Sequence, residues 1–81
     1  MEQNITCRFM SIEDRKLPDG HLYALNVYVN NKPVTLYLAE NNVFVSELAA
    51  MAFGDEIDIK VEFVEHPKVA NAYKMKFRGL V

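Results

Sequence analysis

Four tyrosines and seven of the basic residues are the side chains with chemistry to offer. Tyr23, Tyr28, Tyr37 and Tyr73 carry aromatic faces, and Arg8, Arg15, Lys16, Lys60, Lys74, Lys76 and Arg78 carry positive charge. Binding a single-stranded polyanion without regard to its sequence needs both kinds. A positive groove follows the phosphates, and flat faces take the bases, each stack contributing about 1–3 kcal/mol. Other chemistries are poorly supplied. His21 and His66 have no second ligand at short spacing, and Cys7 sits alone on a core-facing strand position, where a thiol packs as a small hydrophobe. Asp55, Glu56 and Asp58 read as a solvated strand start rather than a cation site. No Ser/His/Asp or Cys/His order supports a nucleophile, and three glycines are too few for a phosphate-cradling loop. The expectation is a binding protein with no catalytic residues, no metal and no cofactor.

Each of these residues also has a structural reading. If the last two strands pair as a hairpin with apolar faces together, one register sets Glu62 opposite Lys74 and Asp58 opposite Arg78. Cross-strand ion pairs of that kind add about 0.2–1 kcal/mol and need no ligand. The same register leaves Lys60 facing Lys76, an unpaired positive charge that points to a phosphate. Alternation puts Tyr23 and Tyr73 on the core face, half-buried with a wet hydroxyl. Tyr28 and Tyr37 fall on the opposite faces of their strands, where exposed rings need a base or a protein partner.

The elements that position these groups follow from hydrophobic period. Residues 55–64 alternate Ile57, Ile59, Val61 and Phe63 with Asp58, Lys60 and Glu62, which makes a strand with one dry and one wet face. Residues 5–12 form a first strand with Ile5, Cys7 and Phe9 on one side, and 13–20 a loop in which Gly20 supplies positive φ. Residues 21–30 form a second strand, with Tyr23, Leu25, Val27 and Val29 inward. Asn30, Asn31, Lys32 and Pro33 turn the chain into a third strand carrying Val34, Leu36 and Leu38, although no Asn-Gly pair marks the tightest hairpin. Phe44, Val45, Leu48, Ala49, Met51 and Ala52 then fall at helical spacing. A helix is expected over 43–53, capped by Asn41 or Asn42 and ended by Gly54. Residues 65–71 are a loop before a fifth strand carrying Tyr73, Met75 and Phe77. The order β-β-β-α-β-β favours a mostly β fold: a five-stranded Greek-key barrel of the OB type, with the helix plugging one end. An open sheet with one covering helix is the competitor.

Eighty-one residues make one domain with a small core. A single cysteine forms no internal disulfide, and neither a secretion signal nor a bilayer-length apolar run is present, so a cytoplasmic home is expected. The net charge of −2 argues against coating duplex DNA by charge alone. Charge is nevertheless polarised. Residues 40–65 hold seven acids against Lys60, while 66–81 hold Lys68, Lys74, Lys76 and Arg78 and no acid. The alternative function is therefore a protein-interaction module, or an inhibitor of a host protein, that uses the acidic stretch 40–65.

The run Asp19, Gly20, His21, Leu22, Tyr23, Ala24, Leu25, Asn26, with the closing Tyr73, Lys74, Met75, Lys76, Phe77, Arg78, Gly79, Leu80, Val81, resembles the small single-stranded-DNA-binding proteins of filamentous phages. The resemblance implies an OB-type barrel that coats single-stranded DNA cooperatively as a symmetric homodimer during phage or mobile-element replication. It implies Tyr23 as a stacking residue and Arg15 and Lys16 as phosphate contacts in the first loop. The chain departs from that family in its net acidity, in its expected three-turn helix and in a late hairpin loop with no aromatic tip.

Overall fold

Ile59 and Val61 are wholly out of water and Ile57 nearly so, as their alternation with charged neighbours requires. They lie on β4 (Glu56–Glu65) of a computed structural model that describes residues 2–81. The other elements are β1 (Glu2–Leu17), β2 (Gly20–Val29), β3 (Lys32–Ala39), α1 (Val45–Ala49) and β5 (Tyr73–Leu80). All five strands belong to one antiparallel sheet of order β3-β2-β1-β4-β5. The sheet is not closed, and β3 and β5 are its two edges.

β1 does two jobs. Its first half, Glu2 to Arg8, pairs with β4; its second half, Arg8 to Leu17, pairs with β2. The change of partner occurs at a bulge, where Phe9 opposes Val27 and Ser11 opposes Asn26, so Met10 is the extra residue. A bulge bends its strand and re-aims the side chains beyond it. Cys7 and Phe9 face the core before it, and Ile12, opposite Leu25, packs against the core after it. The Phe9 backbone is held from the β4 side: its N–H donates to Asp55 O (2.8 Å) and its carbonyl accepts from Gly54 N–H (2.7 Å). Gly54 makes that approach at φ 92°, in the region only glycine enters at little cost.

Several boundaries differ from the sequence reading, each for a local reason. The expected loop over 13–20 is strand as far as Leu17. Glu13, Asp14, Arg15 and Lys16 are polar on both faces, so their period is invisible, but all are paired in register with β2. Arg15 and Lys16 therefore stand on opposite faces of a strand and not in a loop. Gly20 is not in the left-handed region; among the described glycines Gly54 and Gly79 have positive φ. Asn30 and Asn31 do make a two-residue hairpin turn, with φ 52° and 65°, because asparagine tolerates the conformation that such turns demand.

The expected helix over 43–53 is reduced to Val45–Ala49. Side chains satisfy the flanking backbone instead: Asn42 Oδ1 accepts from Phe44 N–H (2.9 Å) and Asp55 Oδ2 from Ala52 N–H (2.9 Å). Gly54 serves the turn into β4 rather than the end of the helix. One turn of helix does not persist alone. It is anchored by Leu48, fully buried in the core cluster with Leu25, Leu36 and Ile59. Phe44, just before α1, lies edge-on to Phe77 at 6.1 Å between ring centres. A Cβ on Gly79 would come within 3.0 Å of the Phe44 ring, so the bare backbone there is what admits Phe44.

Gly79→Ala is accordingly expected to lower unfolding free energy by about 1–3 kcal/mol, the usual penalty for overpacking. Trimming the ring with Phe44→Leu should shrink that penalty when the two changes are combined, as urea melts of the four proteins would read. Equal penalties in both backgrounds would mean that Phe44 is not what Gly79 accommodates.

Candidate nucleic-acid interface

β2, β3 and the second half of β1 put alternate residues on an outer face, away from the core. Leu22 lies opposite Arg15 and Ala39, Ala24 opposite Glu13 and Tyr37, Asn26 opposite Ser11 and Thr35, and Tyr28 opposite Pro33; Ala24 itself is fully covered, and Leu22, Asn26 and Tyr28 are half-buried. The middle row is tied by hydrogen bonds: Thr35 Oγ1 donates to Asn26 Oδ1 (2.7 Å), and Asn26 Nδ2 donates to Ser11 Oγ (3.1 Å). Tyr37 stands 58% exposed on this face. On one flank it shares a shallow, largely apolar hollow with Arg15, Leu17 and Leu22. On the other it borders a cleft of about 340 Å³ between the two sheet edges, lined also by Asn42, Lys74, Lys76 and Arg78. Residues far apart in sequence meet here because the sheet curls until β3 and β5 face each other.

The pairing of β4 with β5 is not the register the sequence suggested. Glu62 lies opposite Lys76, Val61 opposite Phe77 and Lys60 opposite Gly79, with a shift that leaves Arg78 as the extra residue. Lys60 and Lys76 thus do not face each other. Arg78 swings to Glu62, not Asp58, with Nη2 at 2.5 Å and Nε at 2.7 Å from the carboxylate. Asp58 is engaged across the sheet by the Thr6 hydroxyl (2.5 Å). Among the described residues all three arginines are in ion pairs, Arg8 with Glu56, Arg15 with Glu13 and Arg78 with Glu62, whereas none of the six lysines is. Lys74 and Lys76 therefore bring ammonium groups held in no ion pair to the rim of the cleft, Lys76 with Glu62 as its cross-strand neighbour.

The structure divides the expected site residues. Tyr37, Arg15, Lys74, Lys76 and Arg78 gather around the open seam. Arg8 and Tyr28 line a separate cleft beside the β2–β3 turn. Lys60 stands alone on β4, and Lys16 and Tyr23 lie at the other face near His21. Tyr28 is half-buried rather than exposed, and Tyr73, placed on the core face by alternation, is 71% exposed at the outer end of β5. Tyr23 is half-buried as expected and packs 5.2 Å from the His21 ring.

Sequence reasoning missed the surroundings of His21. Its Nε2 meets the Asp14 carboxylate of β1, and its Nδ1 lies 3.2 Å from the carboxylate of Glu40, just past β3. The imidazole so ties the ends of three strands. Both ring nitrogens can face carboxylates favourably only when both carry protons. The hydrogen bonds to Glu40 and then to Asp14 accordingly raise the His21 pKa. Cys7, by contrast, is a buried thiol pushed up to about 11 by desolvation and by the Asp58 charge, and is inert at neutral pH.

Comparison with known proteins returns no matching family model, no similar curated protein and no similar solved structure. No helix among the described residues is long and apolar enough to cross a membrane.

A raised histidine pKa stabilises the fold fully below the unfolded value of about 6.5, and the gain disappears as pH rises through the higher folded value. Thermal melts should therefore place the wild-type midpoint above that of His21→Gln at pH 5.5, with the gap closing by pH 8.5. A gap that is constant or widens with pH would show that the protonated ring does not hold the strand ends.

Proposed function

We propose that this chain binds single-stranded nucleic acid, DNA by the resemblance, across the outer face of β2 and β3. Tyr37 serves as the stacking platform, and Lys74 and Lys76 as the phosphate contacts. The observation that supports this most is the seam itself. An exposed aromatic ring and two lysines free of ion pairs border one cleft, with Arg15 on the far side of the ring. Such a combination suits a flexible polyanion with accessible bases: the ring has a face for any base, and the ammonium groups release counterions from the phosphates. In this reading the fold is an OB-like Greek-key barrel left ajar, its strand order being that of the closed barrel cut between β3 and β5. The homodimer belongs to the same reading; free strand edges offer a second copy a place to pair. A role in phage or mobile-element replication rests on the resemblance alone.

The rival reading, an acidic surface of residues 40–65 that captures a protein, has less support. Of its seven acids, Glu40 is engaged by His21, Asp55 by the Ala52 N–H, Asp58 by Thr6 and Glu62 by Arg78, while Glu56, 3.9 Å from Arg8, stays largely open to solvent. Charges already engaged inside the fold contribute little to a partner.

Affinity for oligothymidylate should fall steeply with salt and exceed that for duplex of equal length. Tyr37→Ala should weaken binding by about 5- to 150-fold, the equivalent of one lost stack, with little change in thermal midpoint because the ring is largely in water. Replacing Lys74 and Lys76 together by Gln should lower the slope of log affinity against log salt by about 1.4. Full-strength binding by Tyr37→Ala, measured by fluorescence anisotropy, would refute the stacking role.

A further inference from the structure

Arg8 is the residue at which β1 belongs to both neighbours, opposite Tyr28 of β2 and Glu56 of β4. Toward the N-terminus from there, β1 stays with β4 while β2 turns away at Asn30 and Asn31. The parting leaves a cleft of about 440 Å³, lined by Thr6, Arg8, Tyr28, Asn30, Asn31 and Glu56. Its volume lies within the range of small-ligand sites, although the hollow is open on one side. Its polar groups are unusual in kind. The Arg8 guanidinium is steadied by Gly54, whose carbonyl accepts from Nη1 at 3.0 Å, and Nη2 stands 3.9 Å from a Glu56 carboxylate oxygen. Both side chains remain about two-thirds exposed, 62% and 65%, so each has hydrogen-bonding capacity left for a ligand.

A guanidinium and a carboxylate side by side select against simple ions. A phosphate would be repelled by Glu56, and a bare cation by Arg8. The ligand that satisfies both is one whose edge presents donors beside acceptors. Among the bases guanine does this most fully. Its N1–H and N2–H are adjacent donors matched to the two oxygens of one carboxylate, and its O6 and N7 are acceptors matched to a guanidinium. Tyr28 supplies an aromatic wall, and the amides of Asn30 and Asn31 stand at the lip. Tyr28 and Tyr37 share the outer face; Tyr28 stands four residues along β2 from Ala24, the residue opposite Tyr37, which is about 13 Å at 3.3 Å per residue. One strand crossing this face can reach both clefts.

We propose that the Arg8–Glu56 cleft is a subsite for a single guanine base of a bound strand, so that binding is not indifferent to sequence. The proposal rests on the nucleic-acid reading given above and deepens it by adding a base preference. The Glu56 carboxylate accepts from N1–H and N2–H, and Arg8 donates to the O6 side.

The test is fluorescence anisotropy on the intact chain with a labelled oligothymidylate and with the same strand carrying one interior guanine, inosine, adenine or cytosine. The guanine strand should bind about tenfold tighter than the all-thymine strand. Inosine, which lacks the N2 amine, should lose most of that gain, and Glu56→Gln should bring the guanine-to-thymine affinity ratio to about one. Equal affinity for guanine and thymine strands would overturn the guanine subsite while leaving the seam reading in place. A preference that survives Glu56→Gln, or is shared by inosine, would overturn the assigned contacts. Failure of every strand to bind would remove both readings together. The inosine comparison uses the unaltered protein, so it stands even if the variant folds poorly.

Discussion

The change of partner in β1 is the constraint on which the rest of this structure depends. One continuous strand is shared between β2 and β4, and the extra residue at Met10 adds a bend to the ordinary twist of the sheet. The bulge re-aims the side chains so that Phe9 and Ile12 both serve the core, and its clasp by Gly54 and Asp55 fixes where β4 begins. Curling follows, because a flat single-layer sheet with one turn of helix has nothing to cover Leu25, Leu36, Ile59 and Val61. Curled, the sheet covers them with itself, and Leu48 and Phe44 close what remains.

Much of this was legible in the sequence where one face of a strand is dry. Ile57, Ile59 and Val61 on β4, Leu36 and Leu38 on β3, and Leu25 and Val27 on β2 announce themselves by period two and are all buried. What hid was whatever lacks an apolar partner. Glu13 to Lys16 extend β1 through backbone pairing and polar side-chain contacts, which carry no hydrophobic period, and a bulge leaves no trace in composition. The segment around α1 misled for the opposite reason. Phe44, Val45, Leu48 and Met51 do pack on the core, but Asn42 and Asp55 take the backbone N–H groups on either side, so the helical spacing outruns the helix. For the candidate site, the sequence shows aromatic and basic residues but not which of them share a cleft. Tyr37 shares a cleft with Lys74 and Lys76 only because the sheet brings its two edges, β3 and β5, together.

Charge is distributed by chemical type as well as by position. The arginines, with planar forks suited to carboxylates, each lie beside a carboxylate of the chain while remaining partly exposed, and the lysines, compact and strongly hydrated, are in no ion pair among the described residues. This division lets an acidic chain present a positive rim. Its acids are largely bound to the protein's own donors, so the field at the seam is set by neighbours and not by the sum of −2.

The unclosed boundary between β3 and β5 has a mechanical meaning. Every other strand junction is a zipper of amide-to-carbonyl bonds, and prising one apart means breaking several at once. Along this boundary no backbone hydrogen bond among the described residues joins β3 to β5, so widening it would break no ladder. For the single strand proposed above, that would let purines and pyrimidines of unequal size pass the same boundary without melting the host.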